Sequence, residues 1–130
     1  MRNEEHEVQK AICQYLDMRQ VCYWAVPNGG NRSKREASRL KAEGVKAGVP
    51  DITIVNDGIY YGLEVKKPKT TSAKGRLSKV QKRFHKKIEE AGGYVEVVYS
   101  LEDVIELINR LMISVDKEYK FIENQWWAKV

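Results

Sequence analysis

Apolar residues recur along this chain at helical and at strand spacing in alternation, and each pattern predicts one element. An apolar stripe predicts a first helix that begins after an N-cap at Asn3 and ends near Met18. A weakly alternating run at residues 21–26 predicts a strand that is buried on both faces. Ser33 is predicted to open a short basic helix that ends near Gly44.

Two apolar, β-branched and aromatic runs, residues 48–55 and 59–66, lie on either side of Asp57-Gly58. This turn signal between two such runs predicts a β-hairpin. The elements predicted after the hairpin are a helix capped by Ser78 over residues 79–91, a strand over residues 94–99 and a helix over residues 101–112.

The alternation of helices and strands predicts an α/β fold with a mixed central sheet flanked by helices. The two hairpin strands are expected in the middle of this sheet. The right-handed crossover rule places helix 79–91 across one face and makes strand 94–99 parallel to strand 59–66.

The register of the hairpin decides whether its charged residues meet. A two-residue turn places Asp51 opposite Glu64 on one face of the sheet, with Lys66 on the same face. Because two opposed carboxylates repel each other and hard cations bind oxygen ligands, this arrangement predicts a divalent cation between them. Lys66 would then orient or deprotonate a water, or stabilise a developing negative charge. A three-residue turn would move Asp51 to the other face, and an exposed hairpin with solvated charges is the alternative interpretation.

Glu5 and Gln9 on the first helix, and Gln81 on helix 79–91, border the predicted apolar stripes. Gln81 lies beside the apolar side of helix 79–91, and His85 is interpreted as a surface residue of this helix rather than as a catalytic base. Glu5 borders the stripe of the first helix and, taken alone, is interpreted as an ordinary first-turn acid. Glu7 points away from the stripe.

With 130 residues, the chain is predicted to form one domain over residues 1–113, followed by a tail over residues 114–130. A charged fraction of 32% and the lack of a long apolar run argue against a membrane protein, and the N-terminus lacks the pattern of a signal peptide. Cys13 and Cys22 have no metal-binding spacing, so they are interpreted as free thiols in a reducing cytoplasm, with a single disulfide as the alternative.

Positive charge is concentrated immediately before and after the hairpin. Residues 28–48 contain six basic and two acidic side chains, and residues 65–87 contain ten basic side chains and no acidic one. Since the whole chain has a net charge of only +5, the rest of it is acidic on balance. This pattern predicts a polyanionic partner, above all nucleic acid. The predicted contact residues are Arg32, Lys34, Arg35, Lys67, Lys69, Lys74, Arg76, Lys79 and Lys82.

The tail is polar but contains five large apolar side chains, namely Tyr119, Phe121, Ile122, Trp126 and Trp127. Packing of these side chains on the domain and packing at a subunit contact are both open interpretations. Stacking on nucleic acid is a third and less favoured one.

Gly48-Val49-Pro50-Asp51, followed after a spacer by Glu64-Val65-Lys66, resembles the signature of the PD-(D/E)xK nucleases. More closely, the chain resembles a stand-alone VRR-NUC domain, the virus-type replication-repair nuclease. The resemblance covers roughly residues 4–110 and leaves out the tail. The further points of match are Glu5, Val8-Gln9, Asn28-Gly29-Gly30, Leu63, Leu77-Ser78, Gln81 and Ala91-Gly92-Gly93.

The resemblance implies a restriction-endonuclease-like core and hydrolysis of phosphodiester bonds with Mg²⁺ or Mn²⁺. By this resemblance, Asp51 and Glu64 are metal ligands, the Val65 carbonyl is a backbone ligand and Lys66 is the catalytic lysine.

The resemblance also implies catalytic roles for two helix residues. Glu5 would be the helix-borne acid that binds a metal-bound water, with Glu7 as the alternative. Gln81 would support the site or touch the phosphate. Stand-alone members are small homodimers of phage and bacterial genomes, and some cut four-way junctions. A cytoplasmic homodimer that acts on branched DNA in replication, recombination or repair is therefore expected, in a bacterial or phage-infected cell.

These observations predict a metal-dependent, structure-selective DNA endonuclease. Attack of water on a phosphodiester with metal assistance needs no serine or histidine nucleophile, and the sequence contains no such arrangement. A non-catalytic DNA-binding module on the same fold is the alternative, because the basic segments would suffice for binding to phosphates. A sequence-specific restriction enzyme is disfavoured, since little chain remains for a base-reading domain.

Overall fold

The computed structural model describes residues 4–28, 32–67 and 76–111, and these contain the predicted elements in the predicted order. The N-cap assigned to Asn3, the contact residues Lys69 and Lys74, and the whole tail lie outside the described residues. The elements are α1 (Glu4–Met18), β1 (Tyr23–Ala25), α2 (Lys34–Ala42), β2 (Ile52–Asn56), β3 (Ile59–Val65), α3 (Lys79–Glu90), β4 (Tyr94–Val98) and α4 (residues 101–111).

The hairpin of β2 and β3 has the predicted two-residue turn. Asp57 and Gly58 have φ angles of 54° and 76°. Two successive residues with positive φ are typical of a type I′ turn, whose twist matches that of paired strands. Asn56 pairs with Ile59 and Ile52 pairs with Leu63. The predicted register is confirmed, and one further step along the pair brings Asp51 opposite Glu64.

The described strands form one mixed sheet in the order β1-β2-β3-β4. β2 is antiparallel to both β1 and β3, and β4 is parallel to β3. The hairpin strands are therefore central. The connection from β3 to β4 contains α3, which packs against β4, as the crossover rule predicts.

The main core lies on one face of this sheet, under α1 and α4. Its buried apolar side chains are Ile12, Leu16, Ile52, Ile54, Leu63, Val65, Val98, Val104, Leu107 and Ile108. Because side chains alternate along a strand, Thr53 and Glu64 point to the opposite face. This second face carries α3.

The prediction that strand 21–26 is buried on both faces is wrong. The strand itself is shorter, although hydrogen bonds from Val55 N to the Cys22 carbonyl and from Val26 N to the Asp51 carbonyl extend its pairing. Trp24 is 51% exposed, and it lies opposite Thr53 on the face that carries α3. β1 is an edge strand among the described residues, and α3 packs against β4 at the far side of the sheet, so that it leaves Trp24 uncovered.

The apolar side of α3 is only partly covered. Phe84 and Ile88 are half-buried, and Val80 is 41% exposed. An open groove of about 380 Å³ lies between α3 and the sheet and is lined by Val49, Thr53, Tyr60, Phe84, Ile88, Ala91 and Gly93. The buried side chain of α3 is instead His85, which is 5% exposed. Its interpretation as a surface residue is wrong.

Both cysteines are free thiols, with Cys13 partly buried and Cys22 exposed. None of the helices in the described part of the chain is long and apolar enough to cross a membrane.

Candidate active site

Asp51 lies directly before β2, and its carboxyl group reaches across to the end of β3. Its Oδ2 accepts a hydrogen bond from the backbone N–H of Val65 at 2.8 Å. Asn28 donates to the Val49 carbonyl at 2.8 Å and to Asp51 Oδ1 at 3.4 Å. Asp51 is therefore held from both sides, by a strand and by the loop after β1.

A close approach between the two hairpin strands supports this placement. A Cβ on Gly62 would lie 2.7 Å from Cγ of Pro50 and 2.9 Å from the hydroxyl oxygen of Tyr60. Only glycine leaves room for the Pro50 ring, which precedes Asp51 in the chain.

Glu64 is the buried carboxyl group of the pair, with 2% of its surface exposed. Its Oε2 accepts a hydrogen bond from Gln81 Nε2 at 3.2 Å, and its Oε1 lies 3.1 Å from His85 Nε2. Both partners belong to α3. A strand and a helix that are distant in sequence thus meet at this carboxyl group.

Burial, followed by the hydrogen bond and the negative charge of Asp51, raises the pKa of Glu64 to about 9. The positive charge of Lys66 acts in the opposite direction, and the charge of Glu5 adds to the increase. A carboxyl group with this pKa is protonated at neutral pH unless a cation compensates its charge. Ionisation of Glu64 at neutral pH therefore requires a compensating positive charge.

Lys66 and Glu64 are connected through Gln81. The Lys66 ammonium donates to Gln81 Oε1 at 3.0 Å, and the backbone N–H of Ser78 donates to the same oxygen at 2.9 Å. The second of these bonds is half of a capping box, since Ser78 Oγ also accepts from the backbone N–H of Gln81. The start of α3 thereby fixes the amide that links the lysine to the carboxyl group.

His85 was missed as a site residue. It lies four residues after Gln81, one turn further along the same side of α3. This spacing is the sequence signal that could have placed His85 at the site. Burial lowers the pKa of His85, against the charges of Glu89 and Asp51 and together with that of Lys66.

Glu5 and Glu7 are both exposed in the first turn of α1. The charge of Glu5 raises the pKa of Glu64, so Glu5 lies close enough to the site to interact with it electrostatically. The catalytic role of Glu5 stays a prediction.

The donor atoms of this site suit a hard divalent cation. The described residues contain no group of three or more His, Cys, Asp or Glu side chains that could hold a metal ion. A cation at this site would therefore need further oxygen ligands besides the carboxyl groups of Asp51 and Glu64. The carboxyl groups of Asp51 and Glu64 lie side by side, and oxygen ligands of this kind, completed by backbone carbonyls and waters, are those that Mg²⁺ prefers. The Val65 carbonyl is the predicted backbone ligand. The residues present fit Mg²⁺ or Mn²⁺, and they offer no soft sulfur ligand.

The predicted DNA contacts within the described residues are exposed. Arg32 donates to the Pro27 carbonyl at 3.2 Å. The other exposed members are Lys34, Arg35, Lys67, Arg76, Lys79 and Lys82.

Comparisons with known proteins agree with this fold. A solved structure described as a VRR_NUC domain protein superposes with a TM-score of 0.66 and 21% sequence identity, over 86% of this chain and 90% of that chain. At this identity the likeness shows that the two chains share their fold. The profile of the VRR-NUC domain matches residues 3–102, and the chain belongs to the VRR-NUC domain family. No curated protein sequence gives a match.

Proposed function

We propose that this protein is a metal-dependent DNA endonuclease that hydrolyses phosphodiester bonds. The observation that carries the proposal is the pair of carboxyl groups, Asp51 and Glu64, from opposed strands, with the Lys66 ammonium fixed next to them. Burial and repulsion make this pair unfavourable for folding on its own. A cation bound between the two carboxylates would offset their repulsion, which would explain why they are placed together.

Asp51, Glu64 and the Val65 carbonyl would hold Mg²⁺ or Mn²⁺. When bound, the cation lowers the pKa of a coordinated water and neutralises charge on the phosphoryl group.

The other side chains of the site would act on the phosphate and on the attacking water. Lys66 supplies a fixed positive charge where negative charge develops, and Gln81 keeps its ammonium in place at 3.0 Å. Gln81 can support the site in this way without touching the phosphate. Glu5 would bind a water of the site from α1.

DNA would be delivered to the carboxyl groups by the basic residues before and after the hairpin. Phosphate contacts by such exposed side chains position a duplex without reading its sequence. This matches an enzyme that selects the structure of its substrate.

We further propose that the substrate is branched DNA, such as a four-way junction, and that the enzyme is a cytoplasmic homodimer of a bacterial or phage-infected cell. A symmetric dimer presents two sites related by a two-fold axis, which suits paired cuts in a junction. The exposed Trp24 and Val55, on the face that carries α3, offer apolar surface for a subunit contact. A mass in solution equal to that of the 15.0 kDa monomer would contradict the dimer.

The test is cleavage of labelled four-way junctions, flaps and linear duplexes with Mg²⁺, Mn²⁺ or EDTA. Wild type is compared with Asp51→Asn and with Asp57→Asn, which makes the same chemical change in the exposed turn of the same hairpin. We expect metal-dependent cleavage of the junction by wild type and Asp57→Asn, and loss of cleavage without loss of DNA binding in Asp51→Asn.

Each other outcome has a definite meaning. Cleavage that survives Asp51→Asn would refute the assignment of the site. Cleavage of flaps or linear ends would keep the nuclease and discard the junction preference. Salt-sensitive binding without any cleavage would favour the alternative function, a non-catalytic DNA-binding module.

A further inference from the structure

Both oxygens of the Glu64 carboxyl group are contacted by side chains from a single helix. His85 Nε2 lies 3.1 Å from Oε1, and Gln81 Nε2 donates to Oε2 at 3.2 Å. The last torsion of a glutamate side chain is normally broad. Two contacts from successive turns of α3, one at each oxygen, restrict the plane of this carboxyl group.

His85 and Glu64 are among the few buried polar side chains of the described residues, with 5% and 2% of their surfaces exposed. Water has little access to either of them, so the contact between the two side chains is not readily replaced by solvent. A carboxylate can only accept hydrogen bonds, and an ionised Glu64 therefore requires a proton on His85 Nε2. Gln81 Nε2 likewise donates a hydrogen bond to the other oxygen of Glu64, Oε2.

We propose that His85 is a positioning residue, whose Nε2–H fixes the orientation of the Glu64 carboxylate together with Gln81. A carboxylate has about four lone-pair sites, so two donors from α3 leave sites free for a cation on the side of Asp51. Hydrogen-bond partners behind a ligand orient it toward its metal. The inference rests on the proposed function, because Glu64 is a metal ligand only if that proposal holds.

The inference differs from a role of His85 in packing alone. An apolar side chain of similar size would fill the same space between α3 and the sheet, but it would leave one Glu64 oxygen without its donor. Glutamine at position 85 could offer an amide N–H near the place of Nε2. Comparison of these two replacements separates the effect of the hydrogen-bond donor from the effect of side-chain volume.

The first experiment measures Mn²⁺ binding by calorimetry in the absence of DNA, for wild type, His85→Leu and His85→Gln. We expect His85→Leu to weaken binding by about 10- to 100-fold, as loss of such partners does elsewhere, and His85→Gln to restore most of the affinity. Phe84→Leu, on the same helix but facing the groove, is the matched control and should bind Mn²⁺ as wild type does. Unfolding temperatures of all variants report whether they fold.

A second measurement uses wild-type protein only, so it holds even if a variant fails to fold. The chain has two histidines, and His6 on α1 provides the internal reference for the ring ¹⁵N spectrum. With Mg²⁺ present we expect the His85 proton on Nε2. A ring that is protonated only on Nδ1 would overturn the inference.

These results separate failure of the inference from failure of the proposed function. If wild type binds Mn²⁺ and cleaves DNA, and both His85→Leu and His85→Gln bind Mn²⁺ with the affinity of wild type, the positioning role is wrong and the nuclease stands. If wild type binds Mn²⁺, His85→Leu weakens binding and no DNA is cut, the positioning role is supported and the nuclease is not. If wild type binds no Mn²⁺, both are overturned.

Discussion

At the scale of single residues, the main feature of the site is the repulsion between the neighbouring carboxyl groups of Asp51 and Glu64. Glu64 is buried against Asp51, and the Lys66 ammonium that could compensate it is bound to Gln81. We expect the stability of the protein to depend on pH, and on added cations, because of these neighbouring charges.

We predict that the metal-free protein loses stability through Glu64 as pH rises from about 4 to about 9. The folded pKa of Glu64 is raised to about 9, whereas an unfolded glutamate titrates near 4.3, so the folded state binds the extra proton in this range. Stability falls with pH wherever the folded state binds more protons. The Glu64→Gln variant lacks this titration. In EDTA, its free energy of unfolding should therefore increase relative to that of wild type as pH rises from about 4 to about 9.

The measurement is urea unfolding in EDTA at pH 5, 7 and 9, with Glu90→Gln as the control for loss of one exposed carboxyl group on α3. Mg²⁺ should stabilise wild type more at pH 9 than at pH 5, because the ligand must be deprotonated to bind it. A constant difference between wild type and Glu64→Gln at all three pH values would contradict the prediction.

At the scale of elements, α3 has two tasks. Its capping box stabilises the start of the helix and at the same time holds the Gln81 amide between Lys66 and Glu64. α2 has a similar cap, in which Ser33 Oγ accepts from the backbone N–H of Glu36 at 3.1 Å, but this helix buries none of its residues. The two caps form a natural pair for comparison.

We predict that Ser78→Ala lowers the free energy of unfolding by about 1 kcal/mol, the usual cost of a lost N-cap. Ser33→Ala should cost less, because α2 packs little against the sheet and can open locally without global unfolding. Ser78→Ala should also reduce cleavage, since Gln81 loses part of its support, whereas Ser33→Ala should leave the turnover rate of bound DNA unchanged. Chemical denaturation and single-turnover kinetics check the two effects, and equal losses for both variants would contradict this account of α3.

At the scale of the whole molecule, opposite charges are separated along the chain. The hairpin carries the carboxyl groups, and the segments next to it carry exposed basic side chains on and around α2 and α3. These exposed basic side chains would offset the repulsion between the carboxyl groups and an approaching polyanion.

We predict that DNA binding depends steeply on salt and that Lys79 and Lys82 contribute to this dependence. Each lysine that contacts a phosphate adds about 0.9 to the slope of the logarithm of affinity against that of salt. The double replacement Lys79→Gln, Lys82→Gln should lower the slope by roughly 2 and weaken binding to all sequences alike. Lys10→Gln on α1, outside the basic segments, is the control. Fluorescence anisotropy at several salt concentrations measures the slope, and an unchanged slope would exclude both lysines as phosphate contacts.

The sequence alone determined the features that depend on neighbouring residues. Asp57-Gly58 specifies a two-residue turn because both positions tolerate positive φ, and this turn fixes the register that brings Asp51 opposite Glu64. The parallel placement of β4 followed from the helix predicted between the two strands, because a crossover helix returns the chain to the end of the sheet at which the previous strand began. The VRR-NUC resemblance rested on these same local motifs, and the family match confirms it.

Only the tertiary structure decided which side of α3 faces the site and which strand stays at the edge. Gln81, His85, Phe84 and Ile88 all lie on one broad side of the helix, and their spacing does not say how the helix is rotated about its axis. The contacts of α3 with Glu64 bury His85 and leave Phe84 and Ile88 beside an open groove. For β1, the exposure of Trp24 depends on how far α3 extends across the sheet. Both outcomes result from packing between segments far apart in the chain, which local periodicity does not encode.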